Sequence, residues 1–257
     1  DRMKESMVDY EDQVKKVAAV PDVVAATPFI FRQVLLTSPS GVQGIILRGI
    51  DPAREGTVTE LAHNLVNSNL DDLARQNKVV IPEKEREPNG PDTAMRPGII
   101  LGKELSMRLG AFPGDTLNVV SPVGPVTGAS MTPKIRQFVV VGIFQSGMYE
   151  YDSSLAYIEL GEAQKFFNMG ASVTGIEVKV TDVFRAADIA RAIEHHLGFA
   201  FWARDWMQMN RNLFSALKLE KTMMFLLLVL ITIVASFNIV STLTMIVTEK
   251  QREIAIL

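Results

Sequence analysis

From Met223 to Val247 the chain carries no charged residue. About 25 residues at about 1.5 Å each make a helix of roughly 37 Å, longer than the ~30 Å hydrocarbon core of a bilayer. A core helix of a water-soluble protein keeps a charged or polar side, and no charge interrupts this stretch over many turns. The segment therefore predicts a membrane-spanning helix. Its place near the C-terminus argues against a cleaved signal sequence.

A few polar residues interrupt the run. At about 100° per residue, Ala235, Asn238, Ser241, Thr242 and Met245 fall on one side together with Glu249, while Leu226, Val229, Leu230, Ile233, Phe237 and Val240 cover much of the rest. An amide facing lipid loses its hydrogen bonds at a cost of a few kcal/mol. The stripe is expected to face another helix or a cavity. Plain helix packing, the lining of a substrate cavity and a dimer seam all fit it. Directly behind the run, Glu249-Lys250-Gln251-Arg252-Glu253 reads either as an interface anchor with snorkelling cations or as a charged contact surface for a partner. Lys218 and Lys221 before the span balance Lys250 and Arg252 after it, so charge does not orient the helix.

The 257 residues leave room for one large domain or two modest ones beside that helix. Net charge is −3 and no long basic block is present, which argues against nucleic acid as a partner. The absence of cysteine excludes disulfides, thiolate catalysis and cysteine zinc sites. His195 and His196 are adjacent and point to different sides of a helix, and His63 stands alone, so no metal site is expected. Gly98 to Glu104 fails the phosphate-loop spacing, and neither a nucleophile elbow nor a zinc-protease helix motif is present. No enzyme and no cofactor is expected. Asp at position 1 and the apolar Ile254-Ala-Ile-Leu257 end lead us to expect a piece of a longer protein.

Ahead of the span the pattern alternates between strand and helix. Helices are expected over Ser6–Ala19, Leu61–Gln76, Lys103–Leu109, Glu162–Phe167 and Val183–Leu197. Strands are expected over Val23–Thr37 and Val42–Ile50, joined by a turn at Ser38–Gly41 and ended by Asp51-Pro52. Further strands are expected over Lys78–Ile81, Gly98–Leu101, Thr116–Ser121, Ile135–Phe144, Ser154–Leu160, Thr174–Thr181 and Phe199–Ala203. The polar, proline-rich Pro82–Pro97 reads as an exposed insertion, and Pro122–Pro133 as a loop of small residues, Pro and Gly. Trp206–Met223 is amphipathic and runs into the span without a breaker, which suggests one rigid rod.

The fold class expected is α+β, with two mixed α/β subdomains, one inserted in the other, followed by a transmembrane helix. The boundaries are a core domain over 1–205 with the inserted subdomain at about 56–144, a stalk helix over 206–222, a span over 223–247 and a terminal segment over 248–257.

Several motifs carry a family resemblance. They are Leu47-Arg-Gly-Ile-Asp-Pro52, Ile100-Leu-Gly-Lys-Glu-Leu105 with Leu109-Gly110 and Gly114-Asp115, Phe138-Val-Val-Val-Gly-Ile-Phe144, Leu213-Phe-Ser-Ala-Leu-Lys-Leu-Glu-Lys221, and Phe237-Asn-Ile-Val-Ser-Thr-Leu243 leading to Glu249–Leu257. In this order they cover nearly the whole chain, which resembles the LolC/LolE-type transmembrane subunit of lipoprotein-releasing ABC transporters, within the MacB/FtsX permease superfamily. The resemblance implies a MacB-like periplasmic domain and the second membrane span of a bacterial inner-membrane permease. It implies a cytoplasmic ATPase subunit that hydrolyses the ATP, a second permease subunit (homo- or heterodimer), a periplasmic lipoprotein carrier and a lipoprotein cargo taken from membrane lipid. It implies that the loop carrying Pro122, Val123, Gly124, Pro125, Val126, Met131, Pro133 and Arg136 recruits the carrier, with Lys134 beside Arg136 at its base. Glu249, Lys250, Arg252 and Glu253 match the start of the segment that couples to the ATPase. Pro82–Pro97 is longer than the family leads one to expect. Two other readings remain open: a MacB- or FtsX-like mechanotransmission permease for efflux or cell-wall hydrolase control, and a membrane-anchored sensor or binding domain.

Overall fold

The computed structural model describes residues 7–75, 77–80, 93–122, 126–127, 130–131, 133–198 and 201–254. Asp1–Ala203 and Arg204–Leu257 form two units.

The first unit opens with β1 (Met7–Val8) and α1 (Tyr10–Ala18). Helix α1 starts later than its apolar periodicity suggests, because Asp9 sits in the left-handed region (φ 57°) and Met7–Val8 is drawn into a strand. Strands β2 (Val23–Ser38) and β3 (Gly41–Ile50) form the expected hairpin, with Ser38 opposite Gly41. The Ser38 hydroxyl accepts from the Ser40 and Gly41 amides, each at 3.2 Å, which fixes the turn. α2 (Pro52–Val58) follows at once. Asp51-Pro52 ends the strand as expected, but it also begins this helix: the Asp51 carboxylate accepts from the Ala53 amide at 3.1 Å, and proline suits the first helical position.

The helix expected over Leu61–Gln76 is absent. The structure has turns, then β4 (Leu65–Val66), then a 3-10 turn over Leu70–Leu73 closed by an Asn69/Asp72 capping box. Asn67 at φ 54° and the capping Asn69 take the backbone out of helix, although Leu61, Leu70 and Leu73 still reach the core. β5 (Asn77–Val80) and β6 (Thr93–Arg96) pair antiparallel, and residues 81–92 lie outside the described set. Then come β7 (Gly98–Gly102), α3 (Lys103–Leu109), β8 (Thr116–Ser121), the two-residue strands β9 (Val126–Thr127) and β10 (Ser130–Met131), and β11 (Lys134–Phe144). A short helix, α4 (Tyr149–Ser154), not expected from the sequence, leads to β12 (Leu155–Glu159), α5 (Leu160–Phe167), β13 (Ser172–Val173), β14 (Gly175–Val180) and α6 (Ala186–Leu197), the last preceded by a 3-10 turn at Val183–Arg185. Residues 201–203 form no strand, contrary to expectation.

The main sheet runs β14-β2-β3-β12-β7-β11-β4. Strand β8 pairs with both β11 and β2, so β2, β3, β12, β7, β11 and β8 close a ring. Strands from 56–144 (β4, β7, β8, β11) thus share this sheet with strands on either side of that segment in the chain. Inside lies the larger core: Ile30, Leu36, Leu47, Ile99, Leu101, Leu117 and Phe138, with Leu105 of α3 and Phe166 of α5. Each such side chain contributes about 1.5–3 kcal/mol on burial. Gly102 is one place where glycine is required, since a Cβ there would collide with the Asp152 backbone.

In the second unit, α7 (Trp206–Met209) is capped by Asp205, which accepts from the Gln208 amide at 2.8 Å. The helix breaks at Asn210, so the rod begins with α8 (Arg211–Ile254) rather than at Trp206. Helix α8 has 44 residues, about 66 Å. Its mean hydropathy reaches 2.6 over a window of which none is buried.

Candidate functional site: a β-arm, its root and an unpartnered apolar helix

Strands β8 and β11 run antiparallel with Lys134 opposite Ser121 as the last row. Beyond it, β9 and β10 form a second antiparallel rung pair, Val126 opposite Met131 and Thr127 opposite Ser130. The segment expected to recruit a carrier thus holds a small antiparallel pair of its own, a β-arm between the end of β8 and the start of β11 in the chain. Pro122 and Pro133 are exposed at its root, Val126 and Met131 are on its strands, and Val123, Gly124 and Pro125 lie outside the described residues.

The arm's trailing strand is fastened on its inner face. Lys134 Nζ donates to the Lys165 carbonyl at 3.0 Å and to Asn168 Oδ1 at 2.8 Å, and lies 5.7 Å from the centre of the Phe166 ring. Asn168 is the left-handed C-cap of α5, at φ 54°. Two residues on, Arg136 forms an ion pair with Glu162 in the first turn of α5, and its guanidinium lies 5.7 Å over Phe138. That pair is an electrostatic contact without an aligned hydrogen bond to Glu162 Oε2. Glu162 also holds Lys165 at 2.8 Å. Sequence reading placed Lys134 and Arg136 at the base of the loop, and it gave no sign that α5, about 30 residues later, would take up both cations.

The opposite face of the same strands is partly exposed near the arm. Val120 lies opposite Leu35 on one side and opposite Ile135 on the other, making one row across β2, β8 and β11. Leu35 is 43% exposed and Ile135 61%. This apolar row beside the arm could have been suspected from Ile135, the odd residue among Lys134, Arg136 and Gln137.

A buried charge cluster was not foreseen at all. Arg48 on β3 forms an ion pair with Glu177 on β14 and lies 5.3 Å from the Phe29 ring and 5.9 Å from the Tyr157 ring. Glu55 on α2 is fully buried. Its Oε1 accepts from the Thr59 hydroxyl at 3.1 Å, and its Oε2 has no partner. Burial pushes the Glu55 carboxyl up to about 7, and the nearby Arg48 charge only partly offsets this. Burial likewise raises the Tyr157 hydroxyl to about 12.

On α8 most hydroxyls bond to their own helix. Thr232, Ser236, Thr242 and Thr244 each donate to the carbonyl four residues back at 2.8–2.9 Å. The side chains of Asn238 and Ser241 make no such bond among the described residues, and they share a face with Ala235, Thr242 and Met245. Glu249 and Lys250 occupy the end of α8, and the side chains of Arg252 and Glu253 lie outside the described set. Among the described residues no cluster of acidic, histidine or cysteine side chains could hold a metal ion.

The model of the MacB-like periplasmic core domain matches residues 2–196. Similar curated proteins include the lipoprotein-releasing system transmembrane protein LolC of Neisseria meningitidis serogroup B, 38% identical over 236 residues, which cover 91% of this chain and 52% of the relative. The transmembrane protein LolE of the same system in Haemophilus influenzae is 23% identical over 249 residues, covering 96% of this chain and 55% of the relative. The chain thus spans about half the length of the curated relatives it matches. Among solved structures, the periplasmic region of MacB from Actinobacillus actinomycetemcomitans is similar over 79% of this chain and 81% of that one, at 14% identity and a TM-score of 0.44.

Proposed function

This chain belongs to the MacB-like periplasmic core domain family, and from that premise we propose that it is part of a LolC-type permease subunit of a lipoprotein-releasing ABC transporter in a bacterial inner membrane. One observation carries the reading: similarity to proteins named LolC extends through both the mixed domain and the apolar helix, over 91% of the chain. The identity to LolC, 38% against 23% for LolE, favours the LolC role.

In this reading the first unit stands in the periplasm and α8 crosses the membrane. The β-arm reaches for a periplasmic lipoprotein carrier, and the row Leu35, Val120 and Ile135 offers apolar surface beside it. Such a surface releases water on contact, at about 25 cal/mol per Å². The face of α8 carrying Asn238 and Ser241 packs against other helices or lines the cavity through which the lipoprotein leaves the bilayer. Glu249, Lys250, Arg252 and Glu253 contact a cytoplasmic ATPase, whose hydrolysis closes that cavity. Helix α8 joins the two ends as a continuous rod, and a rod passes displacement along its axis where a flexible linker would absorb it.

The test is co-purification of the full-length protein. An ABC ATPase and a periplasmic lipoprotein carrier should come with it. Deleting Pro122–Pro133 should abolish carrier capture and leave the ATPase bound. Recovery of an outer-membrane channel or a cell-wall hydrolase in place of the carrier favours the efflux or division readings.

A further inference from the structure

An arm two strands wide is a poor rigid body. Isolated two-stranded ribbons are marginal in water, and each residue ordered on binding costs about 1–2 kcal/mol of backbone entropy. An arm that must meet a partner gains from being held still beforehand. Among the described residues a hold on it is found at the row Ser121/Lys134, where β8 and β11 end their pairing. At that row the Lys134 side chain spans from the root of the arm to a different element.

We propose that Lys134 fixes the orientation of the arm by docking its root on the C-terminal end of α5. This rests on the carrier reading for its purpose and on the geometry alone for its mechanism. The ammonium has three protons to donate. Two go to Lys165 O and Asn168 Oδ1, at 3.0 and 2.8 Å. The site is matched in charge, because the carbonyls at a helix C-terminus carry partial negative charge. The Phe166 ring face, 5.7 Å away, adds a cation–π contact. Phe166 is itself fixed in the core, edge-on to Phe138 at a centroid distance of 6.2 Å. Two residues further along β11, the Arg136–Glu162 pair ties the strand to the other end of the same helix. The trailing strand is therefore pinned at both ends of α5, with Lys134 nearer the arm. Lys134 is a positioning residue: it faces α5, away from the exposed apolar row, and its effect on a carrier passes through the arm.

Two substitutions separate this role from a general loss of fold. Lys134→Met keeps the length of the side chain and removes the charge. Asn168→Gly removes the Oδ1 acceptor while favouring the left-handed cap that position already adopts. Because the chain has no cysteine, Thr127→Cys gives a single nitroxide position on the arm. The experiment uses the 257-residue chain in detergent with a purified periplasmic lipoprotein carrier as the probe. Both variants should increase label mobility at position 127 and weaken capture about tenfold, as expected if the competent orientation falls to about a tenth of the population. Lys134→Arg should restore both. Unchanged mobility in both variants overturns the inference, and so does a loosened arm that captures at full affinity. If the unsubstituted chain captures nothing while Lys134→Met still frees the label, the clamp stands and the carrier reading falls.

Discussion

The two units solve the same problem in opposite ways. In residues 7–203 apolar side chains find each other: twenty residues from Ile30 to Val173 form one buried cluster. In α8, Leu226 to Leu230 are all at least 39% exposed, as are their apolar neighbours. Polar groups show the same contrast. The first unit has charge pairs that reach over long sequence distances, as between Arg48 and Glu177 or Arg136 and Glu162, beside its local i,i+3 pairs. The helix satisfies most of its hydroxyls on its own backbone, four residues away. A unit closed by its own long-range contacts is complete in water. A helix closed only by local bonds is complete once lipid and neighbouring helices cover it.

The largest effect that follows is solubility. Residues 1–203 should be monodisperse in buffer, whereas the 257-residue chain should require detergent. Size-exclusion chromatography with light scattering decides it. A monomeric, detergent-free full chain removes the membrane assignment and the transporter reading with it.

A smaller effect should separate the units by pH. Glu55 is neutral in the fold up to about pH 7, against a carboxyl near 4.5 when exposed. The folded state therefore holds the proton more tightly. The stabilisation from the neutral carboxyl is fully present below about pH 4.5 and is lost as pH rises through about 7. The shift corresponds to about 3 kcal/mol at most. Chemical denaturation of the first unit should show stability declining over that window. Glu55→Gln, which is neutral at all pH, should flatten the decline and leave the variant the more stable protein at pH 8. The charges that bear on the site are Arg48, which favours the carboxylate, and Glu177 and Asp51, which oppose it. A decline that persists in the variant places the titrating group elsewhere.

This contrast also explains what could be read from the sequence. Local signals were enough for α3, where Gly110 at φ 58° stops the helix, and for β8, whose alternation matches its inward and outward burial. They were enough for the span, since an uncharged run needs no partner to be recognised. They failed where distant residues decide. The stretch from Leu61 to Gln76 has helical spacing of its leucines, but its asparagines cap and turn the chain instead. The Glu55 cluster joins α2, β3 and β14, with Arg48 and Glu177 separated by 129 positions. No window on the sequence contains it. The arm lay between these cases. Its Pro- and Gly-rich segment was visible, while the clamp at its root needed α5 to be folded against β11.

The finest test lies within α8 itself. Ser236 and Asn238 are two residues apart in the same span, and both are polar. The Ser236 hydroxyl donates to Thr232 O at 2.8 Å and so asks nothing of its surroundings. The Asn238 amide makes no bond to its own helix among the described residues, and its two donors and one acceptor group need an external partner. In the proposed packing of this face that partner is another helix, for which interhelical polar contacts contribute about 0.6–2 kcal/mol. Ser236→Ala should therefore leave subunit association in membranes unchanged. Asn238→Leu, similar in size and fully apolar, should weaken it by about 1 kcal/mol, roughly fivefold, measured by energy transfer between labelled subunits. Equal losses from the two substitutions would mean that back-bonding to the helix does not spare a hydroxyl from its neighbours, and the division between the self-satisfied and partner-seeking faces of α8 would fail.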